Sequence, residues 1–243
     1  MSDKKISIGF DRYLALEWAN YSMELYLSGN TESQNYDSLK SYLDREIIGK
    51  ESSRKTANQL KRLWLNENDG TEFLRKKARE ILKIQPNLDR AFFHLGMALN
   101  AYPIFKETCR KAGELSEIQT SLTNKIIIDR VNETYLNPSS IPRIVSRVIQ
   151  TLENWGFFRS MGGNTINMEE NLIENPASGS WLIEALMLSR TRTEISLREI
   201  EQAPEKMGIR FVGIRNIVNT DSSLSIRRNL TGEEVIIINS ITK

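Results

Sequence analysis

The sequence predicts a mainly α protein: a multi-helix N-terminal domain with helix–turn–helix units, a winged-helix-like centre and a small C-terminal α+β part. Three observations carry this prediction. The N-terminal half reads as one amphipathic helix after another. Between about Ser121 and Met168, a helix, a break, a second helix and a glycine-turned hairpin follow in that order. Towards the C-terminus, short helices give way to two strand-like runs, Leu224–Arg228 and Glu234–Asn239, joined by Asn229-Leu-Thr-Gly232. The expected division is a helical domain over 8–101, a winged-helix-like unit over 102–168, a linker over 169–180 and an α+β, winged-helix-like domain over 181–243.

Taken in order, Asp11 is expected to cap a helix that Gly29-Asn30 ends, with Leu14, Trp18, Tyr21 and Leu25 on its apolar side. Tyr36 to Ile48 is amphipathic through Leu39, Leu43 and Ile47 and stops at Gly49. Ser52 or Ser53 then caps Arg54 to Leu65, so this pair reads as a helix–turn–helix. Its second helix presents Arg54, Lys55, Asn58, Lys61 and Arg62, a set suited to phosphate tracking with some base reading. A solvated helical face has the same composition. Helices from about Thr71 to Ile84, Asn87 to Ala101 and Ile104 to Leu115 follow, the last opening the central unit.

That central unit comprises Leu122–Tyr135, a break at Leu136-Asn-Pro-Ser-Ser140, a helix from Ile141 to Trp155 and a hairpin over Gly156–Met168 turned by Gly162-Gly163-Asn164. In the second helix Ile141, Ile144, Val145, Val148, Ile149, Leu152 and Trp155 form one apolar stripe. Ser139 or Ser140 is the expected cap, and Pro142 is tolerated in the first turn. The opposite face holds Arg143, Ser146, Arg147 and Gln150; Arg suits guanine and Gln suits adenine as bidentate partners. Arg159 is placed on the wing, within reach of a phosphate. The same outline also serves as a protein–protein module, because fold does not fix function. Further on, 169–180 is rich in Asn, Glu, Pro, Ser and Gly; Trp181–Leu188 is helical; Ser196-Leu-Arg-Glu199 is a capping box; Arg210–Val212 is a candidate strand. Arg227 and Arg228 fall near the last wing tip.

Composition narrows the function classes. The 243 residues are 40% apolar and 26% charged, with a net charge of only +2, so any nucleic-acid footprint must come from local clustering. The single cysteine, Cys109, excludes an intramolecular disulfide and suits a reducing cytoplasm. No signal-peptide or membrane-spanning run is expected. The single histidine, His94, lies in an apolar setting and reads as a packed core imidazole. No zinc ligand set, Ser–His–Asp arrangement or phosphate-binding glycine loop is present, so the expectation is a non-enzyme without metal or cofactor. Glu169-Glu170 and Glu233-Glu234 read as loop acids without basic companions; converging carboxylates of a metal-dependent nuclease remain the catalytic alternative.

Four segments also carry a family resemblance: Ser52-Ser-Arg-Lys-Thr-Ala-Asn-Gln-Leu-Lys-Arg-Leu63, Tyr102-Pro-Ile-Phe105, Thr123 to Arg130, and Leu152-Glu-Asn-Trp-Gly-Phe157. In their order over roughly residues 10–160 the chain resembles BrxA, the small helical accessory protein of BREX phage-defence systems. The resemblance implies a helical, non-catalytic protein that binds double-stranded DNA and works with other defence-system proteins. It supplies no catalytic residues. The sequence therefore leaves three functions to weigh: a DNA-binding accessory protein, a protein–protein adaptor built on winged helices, and a nuclease.

Overall fold

A computed structural model describes residues 9–66, 69–135 and 139–239. The first three residues of the break expected at 136–140 and the outermost residues of the two end domains lie outside them. Among the described residues the chain is mainly helical, with eleven α-helices and a small sheet part.

Residues 9–15 run extended instead of starting a helix, and α1 covers Leu16–Ser28. Asp11, expected as a cap, accepts a hydrogen bond from Gln59 Nε2 at 2.9 Å. Gly29, at φ +81°, closes α1 in the left-handed conformation that glycine adopts without strain. Helix α2 (Glu32–Glu46) starts four residues earlier than the apolar pattern suggests, because Thr31 and Gln34 form a reciprocal capping box. Helix α3 (Lys50–Leu60) likewise starts before Ser52 and Ser53, and buries Ser53 inside itself. It continues as one π-helical turn, Lys61–Leu65, which delivers Trp64 fully into the core. Helices α4 (Glu72–Ile84), α5 (Arg90–Ala101) and α6 (Pro103–Ser116) follow.

Next come β1 (Ser121–Thr123), α7 (Asn124–Thr134), α8 (Ile141–Asn154), β2 (Phe158–Gly162) and β3 (Thr165–Met168). The strands form an antiparallel sheet in the order β1-β3-β2. The remaining elements are β4 (Asn171–Ile173), α9 (Pro176–Ser189), β5 (Glu194–Ser196), α10 (Leu197–Glu201), a 3₁₀ turn at Pro204–Lys206, β6 (Ile209–Phe211), α11 (Ile214–Asn219), β7 (Leu224–Arg228) and β8 (Glu234–Ile238). Their antiparallel sheet has the order β5-β8-β7. From α6 onward two units thus share one order of elements, with the 3₁₀ turn and β6 inserted between the two later helices of the second. A helix leads to a strand, two more helices and a hairpin, and the hairpin's second strand lies in the middle of the sheet. In both copies the first strand runs straight into a helix capped by its own last residue. Thr123 Oγ1 accepts from Ile126 N, and Ser196 Oγ accepts from Glu199 N.

The segment 169–180, expected as a linker, contains β4 and the first turn of α9. Strand β4 pairs in parallel with β6, joining the two repeats. Helix α9 is buried on nearly every side, so it has no polar face to mark its start. It packs against α5, where the Phe93 and Trp181 rings lie 4.8 Å apart, and against α4, where Trp181 Nε1 donates to Leu74 O at 2.8 Å.

Helix α6 lies directly on the 3₁₀ turn. A Cβ added at Gly113 would sit 2.1 Å from the Pro204 carbonyl oxygen and 2.6 Å from its carbon, both backbone atoms. Two effects then oppose each other in Gly113→Ala. Alanine gains about 1 kcal/mol of helix propensity, whereas overpacking against an immovable backbone costs about 1–3 kcal/mol. The second is expected to win, giving a lower urea midpoint; a raised midpoint would show that α6 does not approach the turn this closely.

Candidate nucleic-acid interface

Helix α8 carries the expected stripe without exception: Ile141, Ile144, Val145, Val148, Ile149 and Leu152 are all buried. Ser140 occupies the cap position but its side chain makes no capping bond, and Pro142 sits in the first turn. The helix is anchored from the far end of the sequence. Leu14 N donates to Thr151 Oγ1 at 3.0 Å, Leu16 N to Asn154 Oδ1 at 2.6 Å, and Trp155 Nε1 to Leu14 O at 3.0 Å. The extended residues 9–15 therefore brace the C-terminal half of α8 and leave its outer N-terminal face open.

On that face Arg143 is exposed and Arg147 half-exposed. Neither forms an ion pair among the described residues. Arg147 Nη1 donates to Gln150 Oε1 at 2.8 Å, so the two expected base readers are coupled. Ser146 Oγ donates back to Pro142 O at 2.8 Å, which occupies its proton within the helix. A shallow depression of about 410 Å³ lies beside them, bounded by Tyr13, Arg147, Gln150, Glu153 and Asn154. Tyr13 was not legible as a site residue, since it comes from 134 positions before Arg147 (147 − 13) and no local pattern joins them. Burial, then the Glu17 and Glu153 carboxylates, push its hydroxyl above the ordinary tyrosine value, so it stays a neutral donor.

The α3 set is placed differently. Arg54 binds Glu51 with both Nε and Nη2, at 2.9 and 2.8 Å, and Lys55 reaches the same carboxylate at 3.5 Å. The hydrogen bond from Arg54 is the main cause that holds the Glu51 carboxyl down at about 2. Lys61 pairs with Glu32 at 2.6 Å and lies over the Tyr36 ring. Asn58 Oδ1 accepts from Tyr36 Oη at 2.8 Å, and the Arg62 guanidinium lies 4.9 Å above the Tyr102 ring. Of the four cations expected to face DNA on α3 and its π turn, Arg54, Lys55 and Lys61 thus each reach an acid, and Arg62 is stacked. The basic residues just beyond serve the interior: Arg75 is buried against Asp69, and Lys77 reaches Glu184 and Asp221.

On the β2–β3 hairpin Arg159 pairs with Glu169 at 2.9 Å. This corrects the reading of the acidic pairs as lacking basic companions. Glu170 binds Arg210 at 2.9 Å, and Glu234 binds Arg215 at 2.5 Å. Among the described residues no three His, Cys, Asp or Glu side chains gather as a metal-binding group. His94 is fully buried: Trp64 Nε1 donates to its Nδ1 at 2.9 Å, and its Nε2 faces Asn20 Oδ1 at 2.9 Å. Burial, helped by Arg90, drives its pKa down to about 3, so it is a neutral core imidazole at physiological pH. Cys109 is buried and its thiol is pushed well up by burial. No helix among the described residues is long and apolar enough to cross a membrane.

No family model, curated protein or solved structure matches the chain.

Proposed function

We propose that the chain is a non-catalytic accessory protein that binds double-stranded DNA through a central winged helix, with α8 as recognition helix and β2–β3 as wing. The supporting observation is the outer face of α8. Two arginines and a glutamine stand there without an acid partner among the described residues, whereas Arg54, Lys55 and Lys61 are paired with acids and Arg62 is stacked. A cation already holding a carboxylate gains little from a phosphate, because it must break one charge-assisted bond to form another. The fourteen residues of α8 span about 21 Å, and a major groove about 12 Å wide admits such a helix. In this reading Arg143 and Arg147 meet phosphate or guanine, Gln150 meets adenine, and Arg159 meets the backbone once Glu169 releases it.

Phosphate contacts give a steep, linear fall of log affinity with log salt, by about 0.9 for each phosphate neutralised. Fluorescence anisotropy with a labelled duplex across a salt series should therefore show binding with a steep negative slope, and no cleavage in magnesium or manganese. Absence of binding would move the reading to the protein–protein adaptor, for which Leu172 on β4 and Val212 just after β6, about half exposed, are adjacent apolar contacts. Metal-dependent nicking abolished by one carboxylate substitution would move it to a nuclease. The place of the protein in a BrxA-like defence assembly rests on the four-segment resemblance. It is tested by deleting its gene from a phage-resistant host and measuring plating efficiency.

A further inference from the structure

We propose that the β7–β8 hairpin is a second duplex-DNA contact, whose tip enters the minor groove with Leu230 at its apex and Arg227 and Arg228 towards the two flanking phosphate strands. The inference rests on the reading that the chain binds duplex DNA, and it assigns a site separate from α8.

The tip is built rigidly. Asn229 Oδ1 accepts from Thr231 N at 3.0 Å, Thr231 Oγ1 at 2.7 Å and Glu233 N at 2.9 Å, while Asn229 N donates to Glu233 O at 2.9 Å. Gly232, at φ +81°, completes the turn. This framework holds Leu230 fully exposed. A leucine with no packing partner contributes nothing to the core, yet the turn fixes it at the outermost point of a hairpin.

Charge chooses among the surfaces such a tip could meet. Arg227 and Arg228 are exposed and form no ion pair among the described residues. Successive strand residues point to opposite faces, so the two guanidinium groups leave the hairpin on its two sides. Glu234 lies opposite Arg228 in the register, but its carboxylate is held by Arg215. Two arginines then stand against the single free carboxylate of Glu233. A minor groove about 6 Å wide between two phosphate strands has the complementary form, and apolar wedges flanked by basic residues can unstack a base step there. The first hairpin has the same spacing, Arg159-x-Met161 beside Arg228-x-Leu230, and Met161 is also exposed. There, however, the arginine is tied to Glu169, so the second hairpin is the less neutralised of the two.

The test uses the full chain and a duplex labelled at both ends, read by anisotropy and by end-to-end energy transfer. Three variants are compared with wild type: Arg227→Ala/Arg228→Ala, Leu230→Ser and Arg147→Ala. All the substituted hairpin side chains are exposed, and unchanged melting temperatures establish that each variant is folded. The double variant is expected to bind about tenfold more weakly and to lose about two phosphate contacts, making the salt slope shallower by about 1.8. Leu230→Ser should keep the slope and lose the change in end-to-end distance, because only the wedge is removed. A minor-groove dye should compete with wild type and not with the double variant. Wild-type binding with unchanged affinity and slope in the double variant would overturn the inference and leave α8 as the DNA surface. Loss of capture of a protein partner by the hairpin variants, with DNA binding intact, would overturn it in favour of a protein contact. Absence of any wild-type binding would overturn the underlying reading and this inference with it.

Discussion

Replacing Lys77 by methionine is expected to cost about 3–5 kcal/mol at neutral pH, because it leaves a buried carboxylate without its counter-charge. Lys77 Nζ lies 2.6 Å from Glu184 Oε1, 2.7 Å from Asp221 Oδ2 and 2.7 Å from Ser223 Oγ. Glu184 is fully buried on α9, and its Oε2 has no hydrogen-bond partner in the structure. Burial raises the Glu184 pKa even while Lys77 lowers it. At Asp221 burial acts upwards too, but hydrogen bonds from Lys77, Ser180 and Ser223 outweigh it and hold the carboxyl well below its ordinary value. Without Lys77 both carboxyls rise. The folded variant then binds protons that the unfolded chain gives up above the ordinary carboxylate range, so its stability increases as pH falls through that window. In the wild type the Asp221 contribution is lost as pH falls through that group's depressed value. The gap between the two proteins should therefore be widest near pH 7 and narrow on acidification. Urea unfolding at both ends of that range measures it, and Lys77→Met/Glu184→Gln should recover part of the loss. A gap that stays constant with pH would show that Lys77 acts by packing alone.

The second large effect separates two neighbours on α8. Arg147→Ala should lower DNA affinity by about 1–3 kcal/mol if the side chain reads a base, less if it meets only phosphate, with an unchanged melting temperature. Val148→Asp should instead unfold the central unit, since Val148 is fully buried and a charge there has no partner. Arg54→Glu is the control. It places an acid beside Glu51 on an exposed surface and should weaken DNA binding less than Arg147→Ala, since Glu51 already neutralises the wild-type arginine. If the order of Arg147→Ala and Arg54→Glu is reversed, the DNA surface lies on α3. Circular dichroism separates loss of binding from loss of fold in all three.

Helix α8 and its outer face were legible because one stripe of apolar residues at helical spacing leaves only one side for Arg143, Arg147 and Gln150. Strands β7 and β8 and the Ser196 capping box were legible for the same kind of reason, a local pattern complete within a few residues. Strands β1 and β4 were not, since three residues carry no period. Helix α9 was seen only from Trp181, because an element buried on all sides has no alternation to read.

The amino-acid sequence by itself determined the mainly helical class, the helix–helix–hairpin order at the centre, and the single neutral histidine. These follow from local propensity, capping and the burial of apolar side chains, which act over one or two turns. Only the tertiary structure decided which cations remain available. Glu32 lies 29 residues before Lys61 (61 − 32), Glu184 lies 107 residues after Lys77, and Glu234 lies 19 residues after Arg215. Pairing at such separations depends on how whole elements pack. Coulomb energy falls with distance and not with sequence separation, so the cations from Arg54 to Lys77 became paired or stacked, while two arginines on α8 and two on the last hairpin stayed without acids.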